Sequence, residues 1–318
     1  MGAGKLSSRA IMGMYFARLE QMTGLSWMDG ISTLFPSDQG SEEYAWLGQV
    51  PAMREWLGGR HAKGFRENGI TVINKHFEAS VDILTKWVRR DKTGQINARL
   101  AELAQRTLSH WASLLSTLIT NGTGSASGLC YDGQYYFDDD HSEGDSGTQK
   151  NLITATEVTA LNVGTAAAPT AAEAISAILG VIAYMLNYKD DQGEPMNSEA
   201  REFLVLTSPA LWARLVPATV AAQISSGETN VIKELEKDGF KVSVAANPRL
   251  TYTTQFVTFR TDGPVKPLIR QEEQAPDMKV KAEGSDYEFD NDAWQIGVDC
   301  WRNVAYGYWQ YASHSTLS

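Results

Sequence analysis

The sequence predicts an α+β fold, because helices come first, a mixed segment follows and strands come last, instead of repeating βαβ units. Apolar residues recur at three- and four-residue steps between 92 and 120, the pattern of a long one-sided helix. A short apolar strand at 203–207 runs directly into a helix-start signal, and strand patterns dominate after Gln255. These three observations indicate a helical rod, an α/β segment and a strand-rich end.

Composition narrows the class of protein. The 318 residues are 43% hydrophobic with a net charge of -10, which suits a large core and argues against nucleic-acid binding by bulk positive charge. The two cysteines, Cys130 and Cys300, lie too far apart for a metal motif or disulfide framework, which favours a reducing compartment. The most apolar segment, 174–186, is too short to span a bilayer, so no membrane partner is expected.

Residues 1–40 are predicted to form an arm. A helical pattern over 11–22 is interrupted by glycines, so a short helix and a frayed terminus both remain open.

Residues 42–83 are predicted to be two extended arms joined by a tip rich in glycine and arginine. From 71 to 83 the residues alternate, which places Ile73, Phe77, Ala79, Val81 and Ile83 on one face of a strand. The tip is too polar to build a core, so the hairpin needs another surface, which we expect to belong to a neighbouring subunit. The candidate intersubunit contact residues are Arg54, Glu55, Trp56, Arg60, Arg66, Lys75 and Glu78. The alternative is a solvated charged tip, since exposed ion pairs contribute little energy.

The long helix after the hairpin carries an apolar stripe with a single gap at Thr107. Asp91 and Thr93 offer starting caps, and Asn121-Gly122 should end the helix. The stripe consists of Ile96, Leu100, Leu103, Trp111, Leu114 and Leu118, and it is widened by Leu108, Leu115 and Ile119.

The loop that follows invites a metal hypothesis, because Asp132, Asp138, Asp139, Asp140 and His141 lie close together in sequence. Their spacing does not match an EF-hand loop, so a solvated acidic turn is the preferred interpretation.

The middle of the chain reads as an α/β lobe. We predict a helix over 170–188, a strand at 203–207, a helix that starts at Ser208-Pro209, and a strand at 241–245. Residues 218–230 read as a loop without a core. The end of the chain predicts a hairpin of 256–260 with 265–270, a strand at 278–282, and a last strand at 294–308 that Arg302 interrupts.

No catalytic constellation is found. The sequence lacks a phosphate-binding GxxxxGK[ST] loop, HExxH and CxxC, and the run 124–128 has Ala126 where a nucleophilic serine would sit. The five histidines are scattered and read as ordinary surface or hydrogen-bonded residues. We therefore expect no enzyme activity, catalytic residue, cofactor or metal ligand.

Four stretches carry a resemblance to a known family. They are EYAWLG at 43–48 with PAMREW at 51–56, Asn74-Lys75 with Phe77-Glu78, YDGQ at 131–134 with Phe137 and Asp140-His141, and the aromatic terminal strand. In these the chain resembles the major head subunit of Mu-like tailed bacteriophages and prophages, a family with the Hong Kong 97 capsid fold.

The resemblance implies four regions. They are an N-terminal arm at 1–40, an extended hairpin (the E-loop) at 41–90, a peripheral domain with the spine helix at 91–160 and 251–318, and an axial domain at 161–250.

It also implies a structural role. Copies would assemble into hexamers and pentamers of an icosahedral head that encloses double-stranded DNA without sequence specificity. Separate scaffold, protease and portal proteins, and room for a decoration protein, belong to that expectation, as do assembly in the host bacterial cytoplasm and a place in the virion. Two alternatives stay open, a nanocompartment shell of the same fold and a cytosolic oligomeric metal-dependent hydrolase that would use loop 132–141.

Overall fold

The computed structural model describes residues 7–21, 26–45, 47, 69–90, 94–223, 227 and 229–318. The helices of these ranges are α1 (Ser8–Gln21), α2 (Ser26–Ile31), α3 (Thr85–Arg90), α4 (Gln95–Thr120), α5 (Ala171–Met185), α6 (Pro209–Val220), α7 (Val231–Leu235) and α8 (Asp286–Asn291). The strands are β1 (Ser32–Pro36), β2 (Ser41–Tyr44), β3 (Ile70–Ile73), β4 (Lys75–Leu84), β5 (Leu152–Ile153), β6 (Glu202–Thr207), β7 (Lys241–Ala246), β8 (Gln255–Arg260), β9 (Leu268–Lys281), β10 (Ala293–Tyr306) and β11 (Ala312–Thr316).

The described strands form three sheets. A four-stranded sheet has the order β1-β9-β10-β4, a five-stranded sheet has the order β5-β11-β8-β6-β7, and β2 pairs with β3 alone. Parallel and antiparallel pairs occur together in both larger sheets. The mixture of helices and mixed sheets confirms the predicted α+β class.

The predicted spine helix is present as α4, whose 26 residues make a rod of about 39 Å. Its first half packs Ile96, Leu100 and Leu103 into a core with α1, β4, β9 and β10. Its second half packs Trp111 and Leu118, among others, into the larger core around the five-stranded sheet. One helix therefore joins the two cores.

The ends of α4 differ in how well the sequence predicted them. The residue before the helix is Gly94, in a left-handed conformation with φ 74 and without a side-chain cap, whereas the predicted caps Asp91 and Thr93 lie outside the described residues. At the other end a Cβ on Gly122 would lie 2.6 Å from the Phe137 ring, so only glycine lets that ring close over the helix end.

The N-terminal arm packs on the spine helix, so the frayed-terminus alternative is wrong for α1. Ile11 and Tyr15 of α1 are fully buried. The Tyr15 hydroxyl donates a hydrogen bond of 3.1 Å to Thr107 Oγ1, the residue that left the gap in the apolar stripe. Further along the arm, β1 pairs in parallel with β9.

The second hairpin arm is two strands, where one was predicted. Strand β3 ends at Ile73 and β4 begins at Lys75, and the buried face changes phase at Asn74 between them. Val72 and Asn74 are buried, whereas Ile73 is 63% exposed and therefore does not share the face of Ile83. The phase change arises because β3 pairs with β2 while β4 pairs with β10.

The predicted hairpin of 256–260 with 265–270 is wrong. Strand β8 pairs with β6 and β11, whereas β9 pairs with β1 and β10 in the other sheet. Asp262, in the predicted turn, accepts hydrogen bonds from Arg260 Nε and from the backbone N–H of Arg201. These bonds hold the end of β8 next to the start of β6.

The residues predicted as a separate strand at 278–282 belong to the end of one long strand, β9, which is continuous from Leu268 to Lys281. Pro276 lies where the register of β9 with β10 shifts, between the pairs Asp299↔Asp277 and Trp301↔Gln274. A proline lacks the N–H that a ladder uses, so a bulge accommodates it inside the sheet.

The last predicted strand is β10, which ends at Tyr306, and a further strand, β11, follows it and was not predicted. Arg302 interrupts the apolar face of β10 in sequence but is 2% exposed in the fold. Its guanidinium lies 4.8 Å from the Trp111 ring centre and its Nε donates to Cys300 Sγ, so the charge is placed over an aromatic face.

The middle lobe agrees with the prediction except in one loop. Helix α5 starts with a capping box of Thr170 and Glu173, α6 starts with the cap of Ser208, and β6 and β7 pair in parallel. The segment 218–230 does contribute to the core, because Asn230 is fully buried and its Nδ2 donates to the carbonyl oxygen of Ala218 at 2.7 Å. Within the described ranges, no helix is long and apolar enough to cross a membrane.

His314 on β11 should make stability depend on pH. It is 7% exposed, between the rings of Phe137 and Tyr252, and burial lowers its pKa to about 4. The unfolded chain takes up this proton near pH 6.5 and the folded chain only near 4, so stability is full above pH 6.5 and falls as the pH drops through that window.

We expect a loss of roughly 2 kcal/mol in the free energy of unfolding between pH 7 and pH 4.5 from this group. Urea titrations of the unsubstituted chain and of His314→Asn measure it, with Thr316→Ala on the same strand as the matched control. An equal pH dependence in all three chains would contradict the assignment.

Candidate functional site

The base of the hairpin is an antiparallel pair in which Ser41 lies opposite Ile73 and Tyr44 opposite Ile70. Gly69 closes this pair, because a Cβ on it would lie 2.6 Å from the Ala45 Cα atom. Its backbone N–H also donates to Glu43 Oε1 at 3.3 Å. The two strands of the base are therefore in close contact at Ala45 and Gly69.

A buried polar cluster fastens this base to the four-stranded sheet. Gln271 on β9 is fully buried and accepts a hydrogen bond of 2.8 Å from the Tyr44 hydroxyl. Its Nε2 donates to the carbonyl oxygen of Val72 at 3.1 Å and to Asn74 Oδ1 at 2.9 Å. We call Tyr44, Asn74 and Gln271 the hairpin clamp, since each residue comes from a different strand or strand junction.

Asn74 gives the clamp a second connection, to the end of the N-terminal arm. Its Nδ2 donates to Ser37 Oγ and to the carbonyl oxygen of Gln39, and its backbone N–H donates to the carbonyl oxygen of Gly40 at 2.9 Å. These hydrogen bonds fix the junction between β3 and β4 against residues 37–40 of the arm.

Tyr44 acts in the clamp as a neutral donor. Burial, with the nearby Glu42 carboxylate, raises the pKa of Tyr44 to about 12. The phenol therefore keeps the proton that it donates to Gln271 throughout the physiological pH range.

Strand β4 has two different faces. On the inner face Phe77 packs edge-on against His110 of α4, with ring centres 4.4 Å apart. Burial and the nearby Arg302 charge lower the pKa of His110 to about 4, so this inner contact is uncharged at neutral pH.

The outer face of β4 and β10 is polar. The His76 ring stacks on Trp301 with centres 4.7 Å apart, and its Nε2 lies 3.2 Å from Asp299 Oδ2. Lys279 Nζ lies 2.9 Å from the same carboxylate oxygen, and its hydrogen bond is the main cause that lowers the pKa of Asp299. This face presents ordered charges next to the edge of the sheet.

Two of the seven predicted contact residues lie on this strand. Lys75 and Glu78 are exposed on β4, opposite Arg302 and Asp299 of β10. Glu78 Oε2 accepts a hydrogen bond from Ser80 Oγ at 2.8 Å. The other five, Arg54, Glu55, Trp56, Arg60 and Arg66, lie outside the described residues.

The acidic loop is only partly the solvated turn that was expected. The side chains of Asp132 and His141 are 1% and 0% exposed, and His141 Nδ1 lies 2.6 Å from Asp132 Oδ2. The His141 ring stacks on Trp309 with centres 4.1 Å apart, and its Nε2 lies 3.2 Å from Asn151 Oδ1. This pair anchors the loop to the end of the chain and is closed to solvent.

The remaining carboxylates of the loop are more open. Asp138, Asp139 and Asp140 each bring an oxygen within 4.8 Å of the others, and the last two are exposed. Partial desolvation and the charges of Asp138 and Asp139 raise the pKa of Asp140. Nothing else in the described residues points to a ligand at this cluster, and we assign none.

The described site positions a segment of chain and holds no arrangement of nucleophile and base. The clamp residues lie up to 227 positions apart in sequence. Sequence reasoning quoted Tyr44 and Asn74 within motifs but gave them no role, and it missed Gln271 altogether. No spacing signal could have paired them, because the contact exists only once β9 and the hairpin base meet.

Comparisons with known proteins agree on one family. The family described as "Mu-like prophage major head subunit gpT" matches residues 10–169 and 234–318. The chain is 33% identical over 130 residues to the Mu-like prophage FluMu major head subunit of Haemophilus influenzae, and 30% identical over 111 residues to the major capsid protein of Escherichia phage Mu. The first match covers 40% of this chain and 41% of the relative, and the second covers 35% of each. The chain therefore matches less than half of the length of each relative.

The fold is that of phage capsid proteins. The procapsid protein of bacteriophage JBD30 superposes with a TM-score of 0.55 at 22% identity, over 98% of this chain and 75% of that one. This likeness confirms the Hong Kong 97-like fold, and the family match covers most of the sequence, including α1, the spine helix and the last strands. The chain belongs to the family of Mu-like prophage major head subunits, which are structural proteins.

Proposed function

We propose that this chain is the major capsid subunit of a Mu-like tailed phage or prophage. Copies assemble into hexamers and pentamers of an icosahedral head that encloses double-stranded DNA. The observation that carries the proposal is the family match, which runs through both the hairpin base and the residues of the clamp.

The clamp supports a role for the hairpin as a strap between subunits. A two-stranded ribbon is marginal alone, yet the base of this one is hydrogen-bonded to the four-stranded sheet. Obligate shell contacts commonly bury more than about 2,000 Å², to which a hairpin laid on a neighbour would contribute. Arg54, Arg60, Arg66 and Lys75 would set the register against neighbouring carboxylates, with Glu55, Trp56 and Glu78 beside them.

The proposal also names partners. The head would need separate scaffold, protease and portal proteins and leaves room for a decoration protein, and its place is the virion after assembly in the host bacterial cytoplasm. The net charge of -10 would limit adhesion of packaged DNA to the inner wall. The division into arm, E-loop, peripheral and axial regions, at 1–40, 41–90, 91–160 with 251–318, and 161–250, is part of the same proposal.

The family match favours this function over the two alternatives. A nanocompartment shell would share the fold, but the matched family is one of phage head subunits. A hydrolase using loop 132–141 is disfavoured by the loop itself, because Asp132 and His141 are occupied with each other and closed to substrate.

Shortening the hairpin tests the strap. We expect a chain in which residues 50–66 are replaced by a short Gly-Ser linker to fold normally but to yield at least about tenfold fewer closed particles, because each particle repeats the lost contact many times. Electron microscopy of purified assemblies counts the particles, and thermal unfolding checks the fold.

A variant with Arg54, Arg60 and Arg66 changed to glutamine keeps the length of the hairpin but removes three positive charges. It shows whether the particle yield depends on the charge of the hairpin or on its length. Closed particles at the normal yield from the shortened chain would show that the hairpin is not the strap. The unsubstituted chain forming only a small discrete oligomer when it is co-expressed with its scaffold protein would overturn the capsid function itself.

A further inference from the structure

Two short helices lie side by side at one end of the four-stranded sheet. Helix α3 follows β4 directly and α8 precedes β10, and the ends of these strands pair at Leu84 and Ala293. The Thr85 backbone N–H donates to the carbonyl oxygen of Asp292 at 2.9 Å, which joins the start of α3 to the end of α8. A partner that contacts one of these helices would therefore lie close to the other.

Helix α8 presents an apolar side chain on an acidic support. Phe289 is 91% exposed, and α8 carries Asp286, Glu288 and Asp290 with no basic residue. The helix is anchored, because Glu288 accepts hydrogen bonds from Trp294 Nε1 at 2.9 Å and from the backbone N–H of Gly284 at 2.8 Å. Phe289 therefore projects from a fixed position.

Beside it lies a groove of about 640 Å³ between β4, α3 and the first half of α4, within the ~300–1,000 Å³ range of specific binding clefts. Ile83, Ile96 and Leu103 form its apolar floor and Trp87, which is 56% exposed, forms one wall. The rim holds Arg90, Arg99 and Arg106 together with Asp82 and Glu102, which are three positive and two negative side chains, and Arg99 Nη1 pairs with Glu102 Oε2 at 2.9 Å.

The charges identify what fits the groove. Helix α3 carries Lys86, Arg89 and Arg90 with no acidic residue, which is the opposite of α8. The hairpin tip is a poor occupant, because Arg54, Arg60, Lys63 and Arg66 outnumber its acidic residues. An acidic segment with one large apolar side chain complements the groove, and α8 is such a segment.

We propose that α8 of one copy docks into the groove of a second copy, with Phe289 on the apolar floor and the exposed carboxylates of Asp286 and Asp290 against Arg90 and Arg106, since Glu288 is already hydrogen-bonded within its own chain. The contact is isologous. Phe289 and the groove lie near the same end of the sheet, so a two-fold axis places α8 of each copy in the groove of the other. The proposal rests on the proposed shell function and adds a second contact between subunits, separate from the hairpin.

Crosslinking between two single-cysteine variants tests this contact. Lys86→Cys on α3 and Asn291→Cys on α8, which are both exposed and leave Trp87 and Phe289 in place, are co-expressed with a size tag on one of them, and the assembled shells are treated with a short bis-maleimide. The native Cys130 and Cys300 are buried and free, so they should react little in the folded chain. We expect a mixed dimer band, and at least tenfold less of it when Val220→Cys, at an exposed apolar position on α6, replaces Asn291→Cys.

The outcomes separate the two proposals. Shells that form without a mixed dimer above the Val220→Cys level would overturn the docking contact alone, whereas failure of the unsubstituted chain to form shells together with its scaffold protein would overturn the capsid function and the contact together. Phe289→Ser gives a second measurement, because so exposed a residue can change without loss of the fold. We expect it to reduce the particle yield several-fold relative to Val220→Ser, and equal yields would contradict the contact.

Discussion

Replacing His141 with alanine is expected to lower the free energy of unfolding by about 3–5 kcal/mol, because a buried polar group left without its partner costs ~1–3 kcal/mol and the lost ring leaves a cavity with a cost of similar size. The substitution leaves the Asp132 carboxylate buried without its imidazole partner. It also removes the ring that stacks on Trp309 and the contact with Asn151. Urea denaturation followed by tryptophan fluorescence measures the loss.

Two variants divide this effect into its parts. His141→Phe keeps a flat ring against Trp309 but cannot bond to Asp132, so most of the loss should remain. Asp139→Ala removes an exposed carboxylate from the same loop and should change stability by no more than about 0.5 kcal/mol. A loss below about 1 kcal/mol for His141→Ala would mean that the pair contributes no more than a surface contact.

Replacing Gln271 with alanine is expected to cost about 3 kcal/mol, because three hydrogen bonds of the hairpin clamp are lost in a buried site and an unmet buried group costs ~1–3 kcal/mol. The bonds are those with Tyr44, Val72 and Asn74. The loss should be local as well as global, since all three bonds join the hairpin base to strand β9. We expect hydrogen exchange at the Asn74 amide, bonded to Gly40, to become faster than in the unsubstituted chain.

Glu273→Ala is the matched control, since Glu273 is exposed on the same strand. It should leave both stability and amide exchange nearly unchanged. Gln271→Ala should also reduce the yield of closed shells, because a loosened base no longer aims the hairpin. Unchanged exchange at Asn74 in Gln271→Ala would show that the clamp does not hold the hairpin.

The elements that the sequence predicted well are those whose signals are local. Ser208 caps α6 and Thr170 with Glu173 caps α5, and these caps need only neighbouring residues. The apolar period of α4 likewise identified the helix, although Leu115 and Ile119 are more buried than Leu114 within the stripe. Family motifs around the hairpin and the acidic loop identified the fold because they are specific over short stretches.

The elements that failed depend on partners far along the chain. The turn after Arg260 reads as a hairpin, but which sheet β9 joins is decided by β1 and β10. Strand β11 was not predicted, yet Ser313, His314 and Ser315 are buried because β5 and β8 pair on either side of it. A local pattern cannot report a neighbour that only the folded chain supplies.

The amino-acid sequence by itself determined the α+β class, the spine helix and the family, and it predicted the hairpin whose base is the β2–β3 pair. Only the tertiary structure decided how that hairpin is held, because Tyr44, Asn74 and Gln271 meet through pairing of strands that are distant in sequence. It also decided that Asp132 and His141 form a buried anchor, since burial depends on Trp309 closing over the ring from the far end of the chain.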